Sequence, residues 1–133
     1  MMSTRLEPSC LLPLSYTGGA SLEPLKHPEI AIIGLPHKVA YGMLEAIFEA
    51  VAAGARFKAG DETDELARNV HDGRALRIAF TPVAARYRKQ MLLAEELCPN
   101  GFDALQAVYS DPSDVLPWED GYDVRCAQLL LDG

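Results

Sequence analysis

Hydrophobic and polar positions change period several times along this chain, and each change marks an element. "IAIIGLP", residues 30–36, is apolar at consecutive positions and rich in β-branched side chains, as in a short strand buried on both faces. His27 and Pro28 lead into it in extended backbone, Glu29 opens it, and Gly34 with Pro36 closes it. The period then lengthens. Val39, Met43, Ile47 and Val51 recur every four residues and Ala40, Leu44 and Phe48 form the adjoining row, which predicts an amphipathic helix over 39–51. Pro36 suits its first turn and Gly54 its end. Ile47 and Phe48 are expected to be buried against a sheet.

The rest of the chain alternates in the same manner. Residues 11–17 predict a first strand ended by Gly18 and Gly19, and "RALRIAFTPV" has period two, with Leu76, Ile78 and Phe80 on one side and Arg77 and Thr81 on the other. The polar stretch 56–73 between helix and strand reads as a surface excursion. A second helix is predicted over 84–97, burying Tyr87, Met91 and Ala94. "FDALQAVYSD" reads as a fourth strand and "DVRCAQLLL" as a fifth. Together these predict one α+β domain spanning 1–133, with residues 1–10 as a disordered tail. Its sheet is expected to be mixed or mainly antiparallel, with about four to six strands and two principal helices.

A chain of 133 residues that is 49% hydrophobic and 23% charged can bury a core of its own. Its apolar runs fall well short of the roughly 20 residues that cross a bilayer, and its first residues lack the pattern of a secretory signal. A cytoplasmic, non-membrane protein is expected. Cys10, Cys98 and Cys126 are odd in number and widely spaced, which suits reduced thiols that pack as small hydrophobes and neither a disulfide frame nor a zinc site. The net charge of −7 is uneven: from Pro99 to Gly133 seven acids face Arg125 alone. That argues against nucleic acid as a partner, since phosphate contacts need lysine and arginine. Arg86, Arg88 and Lys89, clustered near the start of the predicted second helix, are the expected ion-pair partners of the acidic segment.

Candidate chemistry is sparse. His27 and Glu29 are two apart in extended chain and so share a side, where the carboxylate could orient the imidazole; they are the candidate catalytic residues. Gln106 shares a face with Ala104 and Val108 in a strand buried on both sides, so its amide must meet polar partners. Gln128 repeats the situation beside Cys126 and Leu130. Trp118, the only tryptophan, follows a proline and precedes two acids, and is expected to bury its indole and anchor the loop between the fourth and fifth strands. Gln106, Trp118 and Asp120 are the candidate binding residues. "TGGA" and "GLPHKV" place glycine near strand ends, the second before a helix N-terminus, but neither has nucleotide-loop spacing. The carboxylates of "SDPSDVLPWEDGYD" fail the calcium-loop spacing, and no serine lies in a hydrolase elbow. No metal site and no cofactor are expected.

"SYTGGA", "HPEIAIIGLP", "FDALQAVYSD" and "LPWEDGYD", in this order from about Ser15 to Leu131, resemble the bacterial domain-of-unknown-function family 4262. Its members show a Y-[ST]-x-G-L strand, an H-P-E strand entering G-L-P, and an A-L-Q strand leading through an aspartate to a P-W-x-x-G-[FY] turn. This chain departs from the pattern at Gly18 and Ala20, where larger apolar residues are usual. The resemblance implies the fold boundaries and covers His27 and Glu29, but brings no activity with it. The expected function is therefore a small binding or regulatory module without evident catalytic machinery, taking an unknown protein or small-molecule partner and compatible with a homo-oligomer. The alternative is a small enzyme or ligand-binding protein whose site gathers His27, Glu29, Gln106 and Trp118. An enzyme requires these side chains to converge on a cavity; a module leaves them dispersed or engaged in internal hydrogen bonds.

Overall fold

Four apolar residues, three of them β-branched, follow Glu29 in "EIAII" and make β3 (Glu29–Ile33) a central strand, buried along its whole length. The computed structural model describes residues 2–6, 13–22, 25–68, 73–123, 128 and 130–132. Around β3 the chain adds β1 (Met2–Leu6), β2 (Pro13–Thr17), α1 (His37–Ala52), β4 (Glu62–Thr63), β5 (Ile78–Pro82), α2 (Ala85–Arg88), α3 (Leu92–Leu97) and β6 (Ala104–Tyr109). The six strands form one mixed sheet in the order β1-β2-β3-β6-β5-β4. The β3–β6 pair at its centre is parallel, and the remaining pairs are antiparallel. The fold is α+β, as the hydropathy pattern predicts.

Strand alternation divides the core between the two faces of the sheet. On one face Ile30 and Ile32 of β3, Leu105, Ala107 and Tyr109 of β6, and Ile78 and Phe80 of β5 pack with Ala40, Met43, Leu44 and Ile47 of α1. On the other, Leu14 and Tyr16 of β2 with Ala31, Ile33 and Ala104 meet Val83, Met91, Ala94 and Leu131. A third, smaller cluster joins Ala79 and Val108 to Leu116. Burying each large aliphatic or aromatic side chain contributes about 1.5 to 3 kcal/mol. α1 thus covers one face, while α2, α3 and the C-terminal segment cover the other.

Several expectations need correction. Ile47 is fully buried, but Phe48 is only half-buried and belongs to no core cluster, because the apolar row it shares with Leu44 turns away from the sheet beyond Ile47. The second helix is two short ones. Amide N–H groups of Gln90 and Met91 donate to the carbonyls of Tyr87 and Arg88, three residues back, and Met91 leaves helical geometry with ψ 69°. The break seats Met91 in the core and brings the Leu93 N–H within 3.1 Å of the Tyr16 hydroxyl. Met2–Leu6 pairs with β2 as an edge strand, where a tail is expected from sequence. In the predicted fifth strand, residues 124–127 and 129, and with them Cys126, lie outside the described residues, as does Cys10. Gln128, Leu130 and Leu131 are described and are not strand; their neighbourhood is held by side-chain bonds set out below.

Among the described residues, no helix is long and apolar enough to cross a membrane.

Candidate functional site

β2 ends at Thr17, and the chain turns through Gly18, Gly19, Ala20 and Ser21 before returning as β3. The turn is tight: a Cβ on Gly18 would lie 2.8 Å from a methyl of Leu93 on α3, and Gly19 has φ 119°. Both features need glycine. The turn points its amide groups at the side chain of Glu29. Oε1 accepts from the Thr17 hydroxyl at 2.7 Å and the Ala20 N–H at 3.0 Å. Oε2 accepts from the N–H groups of Gly19 at 3.2 Å and Ser21 at 2.9 Å, and from the Ser21 hydroxyl. Glu29 is wholly buried, and five neutral donors surround its carboxylate. A concave run of backbone N–H groups of this kind binds anions; here the anion is the chain's own.

Two further groups extend this knot. Thr17 Oγ1 accepts the Ile30 N–H at 2.9 Å, so the hydroxyl that donates to Glu29 also ties β2 to β3. Ser21 Oγ lies 3.1 Å from Sγ of Cys98, the half-buried free thiol that follows α3. Because the serine proton goes to Glu29, its oxygen is the acceptor and the thiol the donor. The line Cys98, Ser21, Glu29 has the order of a nucleophile relay. With every lone-pair direction of Glu29 occupied, however, the carboxylate has none left for a substrate proton.

His27 does not join this group. Its Nε2 accepts the Phe57 N–H at 2.9 Å, which fixes the proton on Nδ1, 2.8 Å from the Pro28 carbonyl. The ring is 1% exposed and meets Phe57 edge-on at 6.0 Å, and Phe57 stacks on Phe80 at 4.5 Å. His27 therefore pins the segment after α1 to the sheet, and neither of its nitrogens meets Glu29. Gln106 faces the opposite side of β6 from α1, fully buried, and its Oε1 accepts the Leu131 N–H at 2.8 Å. Gln128 acts similarly at the end of the strand: Oε1 accepts the Tyr109 N–H at 3.2 Å and Nε2 donates to the Tyr109 carbonyl at 2.7 Å. Two side-chain amides thus fasten the C-terminal segment to β6.

The fourth residue of the proposed constellation lies elsewhere. Trp118 is 50% exposed in the loop after β6, so it does not bury its indole as expected from sequence. Leu116, fully buried, anchors that loop instead. Asp111 shapes it, accepting from Ser113 and Val115 N–H at Oδ1 and from Asp123 N–H at Oδ2, each at 2.8 to 2.9 Å. Glu119 caps the Leu116 N–H at 2.9 Å and receives both terminal nitrogens of Arg77, at 2.8 and 3.1 Å. Arg77 also reaches Glu62 at 3.0 Å and the Asp114 carbonyl at 3.0 Å. These bonds to Glu119 and then Glu62 raise the guanidinium pKa above its usual value. The same Arg77 bond, followed by the Leu116 amide, holds the Glu119 carboxyl below its usual range. Asp120 is exposed next to them.

The acidic segment thus pairs with Arg77, and Arg88 of α2 turns inward to the Val83 carbonyl at 2.7 Å, while the Arg86 guanidinium sits 4.7 Å from the Tyr87 ring centre. Beside the loop lies an open cleft of about 470 Å³ lined by residues of 62–64, 74–77 and 110–114. His27, Glu29 and Gln106 are absent from its wall. No cluster of three or more His, Cys, Asp or Glu side chains suited to a metal ion occurs among the described residues.

Sequence reasoning passed over Thr17, Ser21, Cys98, Arg77 and Asp111. "TGGAS" carries the signal for the first two, a glycine-rich turn able to hold an anion. "DPSDV" carries it for Asp111, an aspartate bonding the backbone two residues on. Cys98 and Arg77 have none, since each meets its partners only through the fold. A family model described as "Domain of unknown function (DUF4262)" matches residues 3–123, so the chain belongs to that family. No curated protein and no solved structure matches it.

Proposed function

We propose that the protein is a non-catalytic recognition module of the bacterial cytoplasm that binds a protein partner through the loop following β6. The observation that carries this reading is Trp118, half-exposed on a loop held rigid by Asp111, Leu116 and Glu119. An exposed indole on an ordered backbone offers a large contact area at little entropic cost on binding, the usual character of an interface anchor. The interior supports it from the other side. His27, Glu29 and Gln106 are buried and bonded to backbone or hydroxyl groups of the fold, each to a different segment, which suits structural roles. The free thiol of Cys98 is in keeping with a reducing compartment.

The experiment is site-specific photo-crosslinking in the cell of origin, with benzoylphenylalanine introduced in place of Trp118 and, as control, in place of Glu49 on the exposed side of α1. A discrete protein adduct from position 118 alone is expected. Absence of an adduct at 118, or equal labelling from both positions, overturns the reading.

A further inference from the structure

We infer that the partner segment received at Trp118 is cationic, a stretch of polypeptide bearing arginine or lysine; this rests on the recognition reading above and adds the chemistry of the occupant. Three features of the Trp118 loop and of the cleft beside it lead to it. Asp120 is exposed two residues beyond the ring, and Asp114 is exposed on the same loop and lines the adjoining cleft. On the facing wall Glu62 and Asp64 are exposed as well. Two guanidinium groups line the cleft: Arg77 is already matched by Glu119 and Glu62, and exposed Arg74 shares the wall with the carboxylates of Glu62, Asp64, Asp111 and Asp114. Carboxylates therefore outnumber guanidinium groups on this cleft and on the loop beside it, which carries the exposed Trp118.

An acidic partner would meet like charge here, and an apolar one would leave these carboxylates desolvated without a counter-charge. A guanidinium or ammonium group avoids both costs. It can lie over the indole face, where the ring quadrupole attracts a cation, while its neighbours in the segment reach Asp114 and Asp120. The loop is pre-organised for this, because its amide groups at 113, 115, 116 and 123 are bonded to Asp111 and Glu119 before any partner arrives.

The test uses the intact protein and three capped synthetic peptides of equal length, Gly-Arg, Gly-Glu and Gly-Leu repeats, with binding followed by the emission of the single tryptophan and by calorimetry. A saturable emission change is expected with the Gly-Arg peptide alone. In calorimetry, Trp118→Ala should weaken Gly-Arg binding about tenfold, and the Asp114→Asn, Asp120→Asn double variant should weaken it in low salt. If Trp118→Ala binds Gly-Arg as tightly as the parent, the peptide is responding to the overall charge of −7 and the inference fails. If Gly-Leu or Gly-Glu perturbs Trp118 and Gly-Arg does not, the cationic assignment falls while the crosslinking result still decides the recognition reading. No response to any peptide also overturns the inference.

Discussion

Glu29 and Glu119 are both carboxylates gripped by several donors, and they mark two regions of opposite character. Glu29 is wholly buried and held by neutral donors from one turn. Glu119 has a side chain 37% exposed and is held by Arg77, a cation on the segment leading into β5. The first arrangement closes a corner of the fold with nothing left over to offer a ligand. The second stiffens a surface loop and leaves Trp118 and two aspartates facing outward. The difference teaches that the density of hydrogen bonds around an acid does not by itself mark a site; what matters is whether the groups so ordered still face solvent.

That contrast can be broken by substitution, most severely at Glu29. Replacement by glutamine should destabilise the fold by about 3 kcal/mol, because every neighbour of the carboxylate is a donor and the new amide would face two of them with its own N–H groups. Chemical denaturation measures it, and an unchanged midpoint would mean that the buried knot is not what holds the turn. Gly18→Val should follow at about 1 to 3 kcal/mol, since the added side chain meets Leu93. Adding Leu93→Ala should recover part of that loss, a coupling that a double-mutant cycle reads directly.

On the loop side the effects are smaller. Arg77→Met should cost no more than about 1 kcal/mol, as expected of exposed ion pairs, and should let the Glu119 carboxyl titrate closer to its ordinary value of 4.5. The sign follows from the depressed folded pKa. Stabilisation by Glu119 is fully present above the unfolded value and fades as pH falls through the folded one, so carboxyl NMR titration of parent and variant should give curves displaced to higher pH in the variant. Trp118→Ala closes the series, with a stability change within about 0.5 kcal/mol. A large loss there would return the indole to the anchoring role suggested by its place in the sequence.

Local pattern carried most of the fold. The four-residue recurrence from Val39 to Val51 and the alternation through Ile78 and Phe80 specify α1 and β5, because each depends on neighbours within a few positions. The single helix predicted over 84–97 failed because Met91 is drawn into a core whose other half comes from β2 and the C-terminal segment. The partners of Gln106 were foreseeable as a need and not as an identity: burial demands a donor, but that the donor is the Leu131 amide depends on how the last residues lie. For His27 and Glu29 the shared side of an extended chain was visible, and the competing claims of Phe57 and the 17–21 turn were not.

The sequence separations of these contacts imply an order of assembly. Thr17, Gly19, Ala20 and Ser21 reach Glu29 across only 8 to 12 residues, a short loop with little entropy to lose on closing. The contacts that bring α3 onto the same turn, Tyr16 with Leu93 and Ser21 with Cys98, span 77. A chain leaving the ribosome can therefore close the carboxylate knot while α3 is still unsynthesised. The space beside Gly18 is filled by Leu93 only when α3 docks, a contact that closes a far longer loop and therefore carries the larger entropy cost.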